Sequence, residues 1–523
     1  MAKLRRREVL RDGLAAGGAL VFGPVLARLG PAAEALAAPA AHKGPGPYGP
    51  LQASNLTGVQ VPAGFTVREI ARGGSPVGTT GYVWHIFSDA SGSMPLPDGG
   101  WLFASNSEVP DPGDGGASVI RFDKDGNAQD AYRILSGTST NCGGGITPWG
   151  TWLSGEEVDT GLVWEADLLG QKPAVARPAL GTFSHEYAVV HEADRRVYET
   201  EDQSGGCFYR FTPAKWGDLS AGLLEVATLR PDGVVEWRPI PDPEAKSKPL
   251  REQVPAASKM ARPEGLCVHK ATGLVYFIES SAGRVFQYDP ATETWEKIYA
   301  EADIKDPELT DCDNIAVSER SRDLFVCEDT GDLDISIITP DGEVAKFAHL
   351  DGAMHGDPST EASSEMTGPS FDPSGTRLYF ASQRAFVTGA VYEITGPFRT
   401  LSAAAPGPSP SPSEELRLRI HAYRRTLRSR VRREGLRVGV APSETADVVA
   451  VLRAPVGAKG SNVTLASARR AALTGKAKLT LKPTSKGRSY LARRGKPVKA
   501  TLVATATTTD SKRDVVERSI ELR

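Results

Sequence analysis

The sequence predicts an all-β protein: a six-bladed β-propeller followed by a small β-sandwich. Three observations predict it. The 523-residue chain carries 54 Gly and 38 Pro between short apolar runs, the pattern of many turns joining short strands. A hairpin of constant length recurs six times, with fifteen positions between two marked residues: Ser91 and Asn106, Cys142 and Glu157, Glu186 and Glu201, Glu264 and Glu279, Asp313 and Glu328, Gly368 and Gln383. Repeats spaced by roughly 45 to 80 residues suit radial blades, whereas a sandwich has no reason to repeat one spacing. Finally, a Pro/Ser-rich segment at 401–415 separates these hairpins from a second set of alternating strands.

The elements follow in order. Residues 1–37 read as a twin-arginine signal peptide. Arg6-Arg7 is followed by Val9-Leu10-Arg11, then a weakly apolar stretch at 14–29, then the small cleavage-type residues Ala35-Leu36-Ala37. That stretch is too short and too rich in Ala and Gly to span a membrane, and no other segment reads as transmembrane. Residues 38–59, rich in Pro and Gly, read as an extended leader. Residues 60–400 read as the propeller. Its second strands contain Trp101-Leu102-Phe103, Thr151-Trp152-Leu153, Val197-Tyr198-Glu199, Val275-Tyr276-Phe277, Leu324-Phe325-Val326 and Leu378-Tyr379-Phe380. A turn precedes each, as in Asp98-Gly99-Gly100, Ala271-Thr272-Gly273 and Pro373-Ser374-Gly375. After the linker, residues 416–523 alternate with a period of two, for example at Thr501, Val503, Thr505 and Thr507, and read as the sandwich.

Composition is that of a globular protein, 24% charged and 40% apolar, which excludes a disordered chain. The charge is divided unevenly. Residues 416–523 hold 26 Lys and Arg against 7 Asp and Glu, a balance of +19; the whole chain is at −3, so the remainder stands at −22. An acidic front suits cations, and a basic tail offers a contact for a cell-wall polyanion. No nucleic-acid binding is expected. Five cysteines leave at least one thiol unpaired. Cys142, in a Gly-rich loop, is the best candidate. Cys207, Cys267, Cys312 and Cys327 are either disulfide partners or small buried strand residues.

Chemistry gathers at the hairpin ends. Asn141-Cys142-Gly143-Gly144-Gly145, with Glu156-Glu157 beyond it, joins a soft thiolate to hard carboxylates, a set better suited to iron or zinc than to calcium alone. In Arg262-Pro263-Glu264-Gly265, Arg262 and Glu264 share a strand face, so a guanidinium fork for an anion lies beside a metal ligand. Asp311-Cys312-Asp313-Asn314, with Cys327-Glu328-Asp329, clusters oxygen ligands in the manner calcium requires. Glu199 and Glu201 place carboxylates on one strand face; His185 is left unassigned. Without cations, so many carboxylates at one mouth would repel one another, by roughly 4 kcal/mol per pair at about 4 Å and an effective dielectric of about 20.

These residues resemble the PhoX-type alkaline phosphatase family. The resemblance runs over roughly residues 64–398. It rests on Asn106-Ser107-Glu108, the Asn141-Cys142-Gly-Gly-Gly block with its Thr-Pro-Trp-Gly-Thr-Trp-Leu and Glu-Glu sequel, Arg262-Pro263-Glu264-Gly265, Asp313-Asn314-Ile315-Ala316 and Glu365-Met366-Thr367-Gly368-Pro369. It implies a six-bladed propeller with Ca²⁺ and Fe³⁺ at the channel mouth, hydrolysis of phosphate esters, and export by the twin-arginine machinery to a secreted or cell-surface location. By resemblance, Cys142, Glu201, Glu264 and Asp313 bind metal, Glu157 and Glu199 join as further calcium ligands, and Asn106 and Arg262 hold the phosphate. Two alternatives differ in metal content. A calcium-dependent propeller lactonase needs no Cys ligand, and a calcium-stabilised binding protein predicts no iron and no hydrolysis.

Overall fold

Six antiparallel sheets follow one another along the chain in a computed structural model that describes residues 39–53, 57–329, 332–355, 364–400 and the strands and helices of 418–522 named below. The twin-arginine segment and the 401–415 linker lie outside the described residues. Blade 1 comprises Ser88–Pro95, Trp101–Ser107, Gly115–Phe122 and Ala128–Thr138. Blade 2 comprises Asn141–Ile146, Thr151–Glu156, Val163–Asp167 and Val175–Ala176. Blade 3 has five strands, beginning with His185–His191 and Arg196–Glu201. Blade 4 begins with Pro263–His269 and Leu274–Glu279, and blade 5 with Cys312–Val317 and Leu324–Glu328.

Blade 6 combines Met366–Phe371, Arg377–Ser382 and Ala390–Thr395 with Thr66–Arg72 from the front of the chain. The innermost strand of each blade packs on that of the next, and that of blade 6 packs on that of blade 1, so the ring is closed. Closure by the N-terminal strand ties the two ends of the propeller sequence together and leaves the short inner edge of each blade covered by its neighbours.

The second strands are as apolar as their sequence requires: Leu102, Phe103, Trp152, Leu153, Tyr198, Phe277, Val326 and Tyr379 are all buried. Every hairpin turn reverses through a left-handed residue: Gly99, Gly150, Arg195, Gly273, Arg322 and Gly375. The stretch expected as an extended leader supplies edge strands to blade 5, His42–Lys43 in parallel and Val59–Gln60 antiparallel. Between them Tyr48 sits edge-on to Phe65, Phe347 and Phe398, which seals the seam between blades 5 and 6. All five cysteines are free, so disulfides are set aside in favour of the buried-strand reading; only Cys267 is half-exposed.

The C-terminal strands lie on one hydrogen-bonded path of eight, whose first member, Leu418–His421, also packs against Val498–Thr507 and Arg513–Leu522. The curled sheet encloses a single core. In two of its strands the alternation is regular: Leu436, Val438 and Val440 point in, as do Ala500, Leu502, Ala504 and Ala506, while Thr501, Val503 and Thr505 are less buried. Among the described residues no helix is long and apolar enough to cross a membrane.

Candidate metal centre

One backbone feature recurs in all six blades. The residue just past the second strand donates its N–H to a carbonyl at the entry to the first: Glu108 to Phe87, Glu157 to Thr140, Asp202 to Ser184, Ser280 to Arg262, Asp329 to Asp311 and Gln383 to Glu365, at 2.8–3.1 Å. In each hairpin the pairing then slips near the start of the inner strand. Such a bulge re-aims a side chain that regular pleating would turn into the blade. Two residues after those carbonyls stand Asp89, Cys142, Glu186, Glu264, Asp313 and Thr367, one per blade, in the channel mouth. Phe87, Thr140, Arg262 and Asp311 are themselves left-handed, with φ between +43° and +59°. For a non-glycine residue this costs of order 1–3 kcal/mol, strain that clusters at functional sites.

The strand-end carboxylates hold these turns. Glu156 accepts the N–H of Ser139, Glu279 that of Ala261 and Glu328 that of Thr310, each one residue before the left-handed position. Glycines let neighbouring inner strands close up. A Cβ on Gly143 would lie 1.5 Å from the Glu186 carbonyl oxygen, and one on Gly265 2.3 Å from that of Asp313.

Among the described residues three groups of ligand atoms result: Cys142, Glu157 and Glu186; Glu186, Glu264 and Asp313; Asp313, Asp329 and Glu365. Within each group the atoms lie within 4.8 Å of one another, as donors around one cation at about 2.3–2.6 Å must. Glu186 and Asp313 each belong to two groups, so the three form a continuous chain across blades 2 to 6. The donors fit cations. Asp89 Oδ1 and Asp313 Oδ1 are buried without a hydrogen-bond partner, and the thiol end of the chain is the soft one. Cys142 Sγ donates to Glu186 Oε1 at 3.4 Å.

Burial raises the Asp89, Glu157, Glu186, Glu264 and Asp313 carboxyls well above their ordinary range. Neighbouring carboxylates add to it: Glu108 for Asp89, Asp202 for Glu157, Glu264 for Glu186, Asp313 for Glu264 and Asp329 for Asp313. Burial and then Asp89 push the Cys142 thiol up as well. A bound cation inverts this balance and draws off the protons.

Of the residues singled out in the sequence, Cys142, Glu157, Glu264 and Asp313 meet in these groups. Arg262 stands beside them. Its fork grips Asp202 at 2.6 and 2.8 Å and reaches Glu264 at 2.8 Å. Burial works against its charge, but Glu264 and Asp202 outweigh it and keep the guanidinium protonated.

Three of the expected site residues stand outside these groups. The Asn106 amide, expected at the phosphate, donates to the carbonyls of Cys142 and Gly143 and accepts from Trp152 and Ser154, all at 2.8 Å, which uses both its donors and both lone pairs and staples blade 1 to blade 2. Glu201 lies outside the groups, holding Tyr209 and Arg251 at 2.6 and 2.7 Å. Glu199 is sealed in blade 3 against His185, 3.4 Å away; burial keeps the acid protonated and lowers the imidazole to about 3.

In the sequence neither Asp89 nor Arg384 is singled out; Asp329 enters only as part of an oxygen cluster, Glu108 and Glu365 only within motifs, and neither Glu186 nor Asp202 is placed among the ligands. Gln383 Nε2 bridges Asp89 and Glu108 at 2.6 and 2.7 Å, and Arg384 pairs with Glu365. A signal was present in the acidic doublets Glu156-Glu157, Glu201-Asp202 and Glu328-Asp329. The first member turns away from the mouth, Glu156 and Glu328 onto their turns and Glu201 onto Tyr209 and Arg251, and the second faces the mouth, because successive strand side chains point to opposite sides. Below the groups the channel is floored by Tyr187, whose hydroxyl donates to Asn314 Oδ1 at 2.9 Å, the oxygen that also accepts the Gly368 N–H.

The family described as "Alkaline phosphatase PhoX" matches this chain over residues 112–173 and 160–385. The structure of Pseudomonas fluorescens PhoX in complex with vanadate, a transition state analogue, is similar with a TM-score of 0.55 at 16% identity, covering 68% of this chain and 98% of that one. A gluconolactonase from Xanthomonas campestris, XC5397, is similar with a TM-score of 0.40 at 13% identity, covering 67% and 99%. No curated protein sequence matches the chain.

Proposed function

This chain belongs to the PhoX alkaline phosphatase family, and we propose that it hydrolyses phosphate esters at a calcium- and iron-bearing cluster in the propeller mouth. The observation that carries this reading is the chain of three ligand groups sharing Glu186 and Asp313, with the single thiol of Cys142 at one end. Cys142 and Glu157 would hold the softer cation, and Glu264, Asp313, Asp329 and Glu365 the harder ones. Bound cations supply Lewis acidity toward phosphoryl oxygens and an activated oxygen nucleophile for in-line displacement.

The chain's own residues do the rest. Arg262, beside Glu264, and Arg384, beside Glu365, orient the phosphoryl group and neutralise charge that grows on its oxygens. Asp202 and Glu365 hold these two guanidiniums in place. Asn106 fixes the Cys142 bulge from beneath. Tyr187 and Asn314 close the channel below and restrict water to the open side. Substrates are soluble phosphomonoesters, which need only reach the rim.

Metal analysis of the exported protein, paired with p-nitrophenyl phosphate hydrolysis, tests this. Iron together with calcium, and activity lost on chelation, are expected. Calcium without iron and no hydrolysis would overturn the assignment. Export through the twin-arginine route follows from Arg6-Arg7. Replacing both with Lys should hold the protein in the cytoplasm, and unchanged export would refute that route.

A further inference from the structure

The C-terminal domain lies beyond the residues matched by the family and takes no part in the metal centre. Its helix Ser485–Ala492 starts at Thr484, whose Oγ1 accepts the Gly487 N–H at 2.8 Å and caps the first turn. Gly487 lets that helix sit directly on the strand Ser461–Leu473, since a Cβ there would lie 2.1 Å from the Leu465 carbonyl oxygen. Leu491 and Val431 anchor this helix and Arg428–Arg433 to the core. What remains between the two helices is a surface cleft lined by Arg432, Arg433, Arg488, Ser489 and Ala492.

Arg488 Nη1 donates to the Pro483 carbonyl at 3.0 Å, which pins the guanidinium at the cleft wall. Among the described residues no carboxylate pairs with any of the three arginines. Like charges converge here in a domain that already carries +19, and all three arginines are exposed. A lone phosphate would be held weakly in so open a cleft; a polymer gains from each further phosphate the domain neutralises. Residues 416–523 contain two Tyr and no Phe or Trp. Of these, Tyr490 packs against the core. Among the described residues no aromatic side chain lines the cleft, so bases would find no stacking platform there.

We propose that the Arg432–Arg433–Arg488 cleft docks the backbone of a polyol-phosphate polymer, an anionic chain of phosphodiesters without bases. Phosphates of such a flexible chain can settle one after another on the three guanidinium forks, which favour phosphate geometry over that of a diffuse anion.

The test uses the full-length protein and a fluorescent poly(glycerol phosphate), with binding read by anisotropy over a salt series. Two further arms use an oligonucleotide of equal phosphate count and polyglutamate of equal charge. The triple variant Arg432→Gln/Arg433→Gln/Arg488→Gln should bind poly(glycerol phosphate) about tenfold more weakly and lower the salt slope by about two. Its thermal midpoint and p-nitrophenyl phosphate hydrolysis should stay those of the wild type. Poly(glycerol phosphate) should bind at least as tightly as the oligonucleotide and more tightly than polyglutamate. Unchanged binding by the variant, a preference for the oligonucleotide, or equal binding of polyglutamate would each overturn the proposal.

Discussion

The propeller and the C-terminal domain use the same secondary structure to opposite ends. In the C-terminal sheet the enclosed side holds Val, Leu, Ile and Ala, and among the described residues the two slips between Ala446–Val456 and Ser461–Leu473 gather no buried charge. In the propeller the regular parts of the blades are equally apolar, but each inner strand slips at one place, and there buried carboxylates and a thiol collect. Regular pairing builds the body. The six slips, with strained turns in front of four of them, build the site. Chemistry in this fold is located by its irregularities.

Substitutions that strike the slips should separate the two regions most. Glu186→Gln removes a ligand from two groups at once, and should cut metal content and phosphatase activity by more than about 100-fold, beyond the usual cost of an outer partner. Glu201→Gln, its neighbour by sequence logic, should leave metal content near wild type. Metal analysis of the pair decides whether the mouth or the strand end carries the ligands; equal losses would refute the placement of Glu201 outside the cluster.

Next in size is packing. Gly265→Ala forces a Cβ against the Asp313 carbonyl, and should cost about 3 kcal/mol or more together with loss of metal. Gly487→Ala makes a similar clash in the C-terminal domain and should destabilise that domain alone, with metal content unchanged. Calorimetry alongside metal analysis would show this, and coupled loss in both variants would break the comparison.

Acidity offers a third contrast. The mouth carboxyls have folded-state values raised by burial, and burial with Asp334 raises Glu328 to about 8 from 4.5. The folded metal-free protein thus holds more protons than the unfolded chain. Its stability should be greatest near pH 4.5 and fall as pH rises to about 8. With cations bound the protons of the mouth carboxyls are already displaced, and the slope should lessen to the share of Glu328, which lies outside the ligand groups. Thermal midpoints with and without chelator would check this; parallel slopes would show that the carboxylates face no cation.

The smallest effect is the one expected of Asn106. Asn106→Ala breaks four buried hydrogen bonds and should lower stability by about 2–3 kcal/mol. KM for p-nitrophenyl phosphate should shift less than about twofold, because the amide has no free valence for substrate. A large rise in KM would restore Asn106 as a phosphate contact.

Much of this was legible beforehand. Six turns, six apolar second strands and the recurrence of one hairpin length follow from local rules. So do Cys142, Glu157, Glu264 and Asp313, because glycine or clustered acid marks their turns. The rest was hidden by the slips. Fifteen-residue spacing pairs Ser91 with Asn106, but the inner-strand counterpart of Cys142 in blade 1 is Asp89. The spacing also favours Glu201 over Asp202. One inserted residue reverses which side chain faces the channel, and no local pattern says where the insertion falls.

The sequence by itself determined the strands, the turns and the split between an acidic front and a basic tail, because pleating and turn chemistry act over a few residues. Only the tertiary structure decided which acids become neighbours. Ring closure brings Asp89 beside Gln383 across nearly the whole propeller, and places Glu186 and Asp313 each between two groups. Those contacts depend on how six blades meet around one axis, a condition no single segment of the chain encodes.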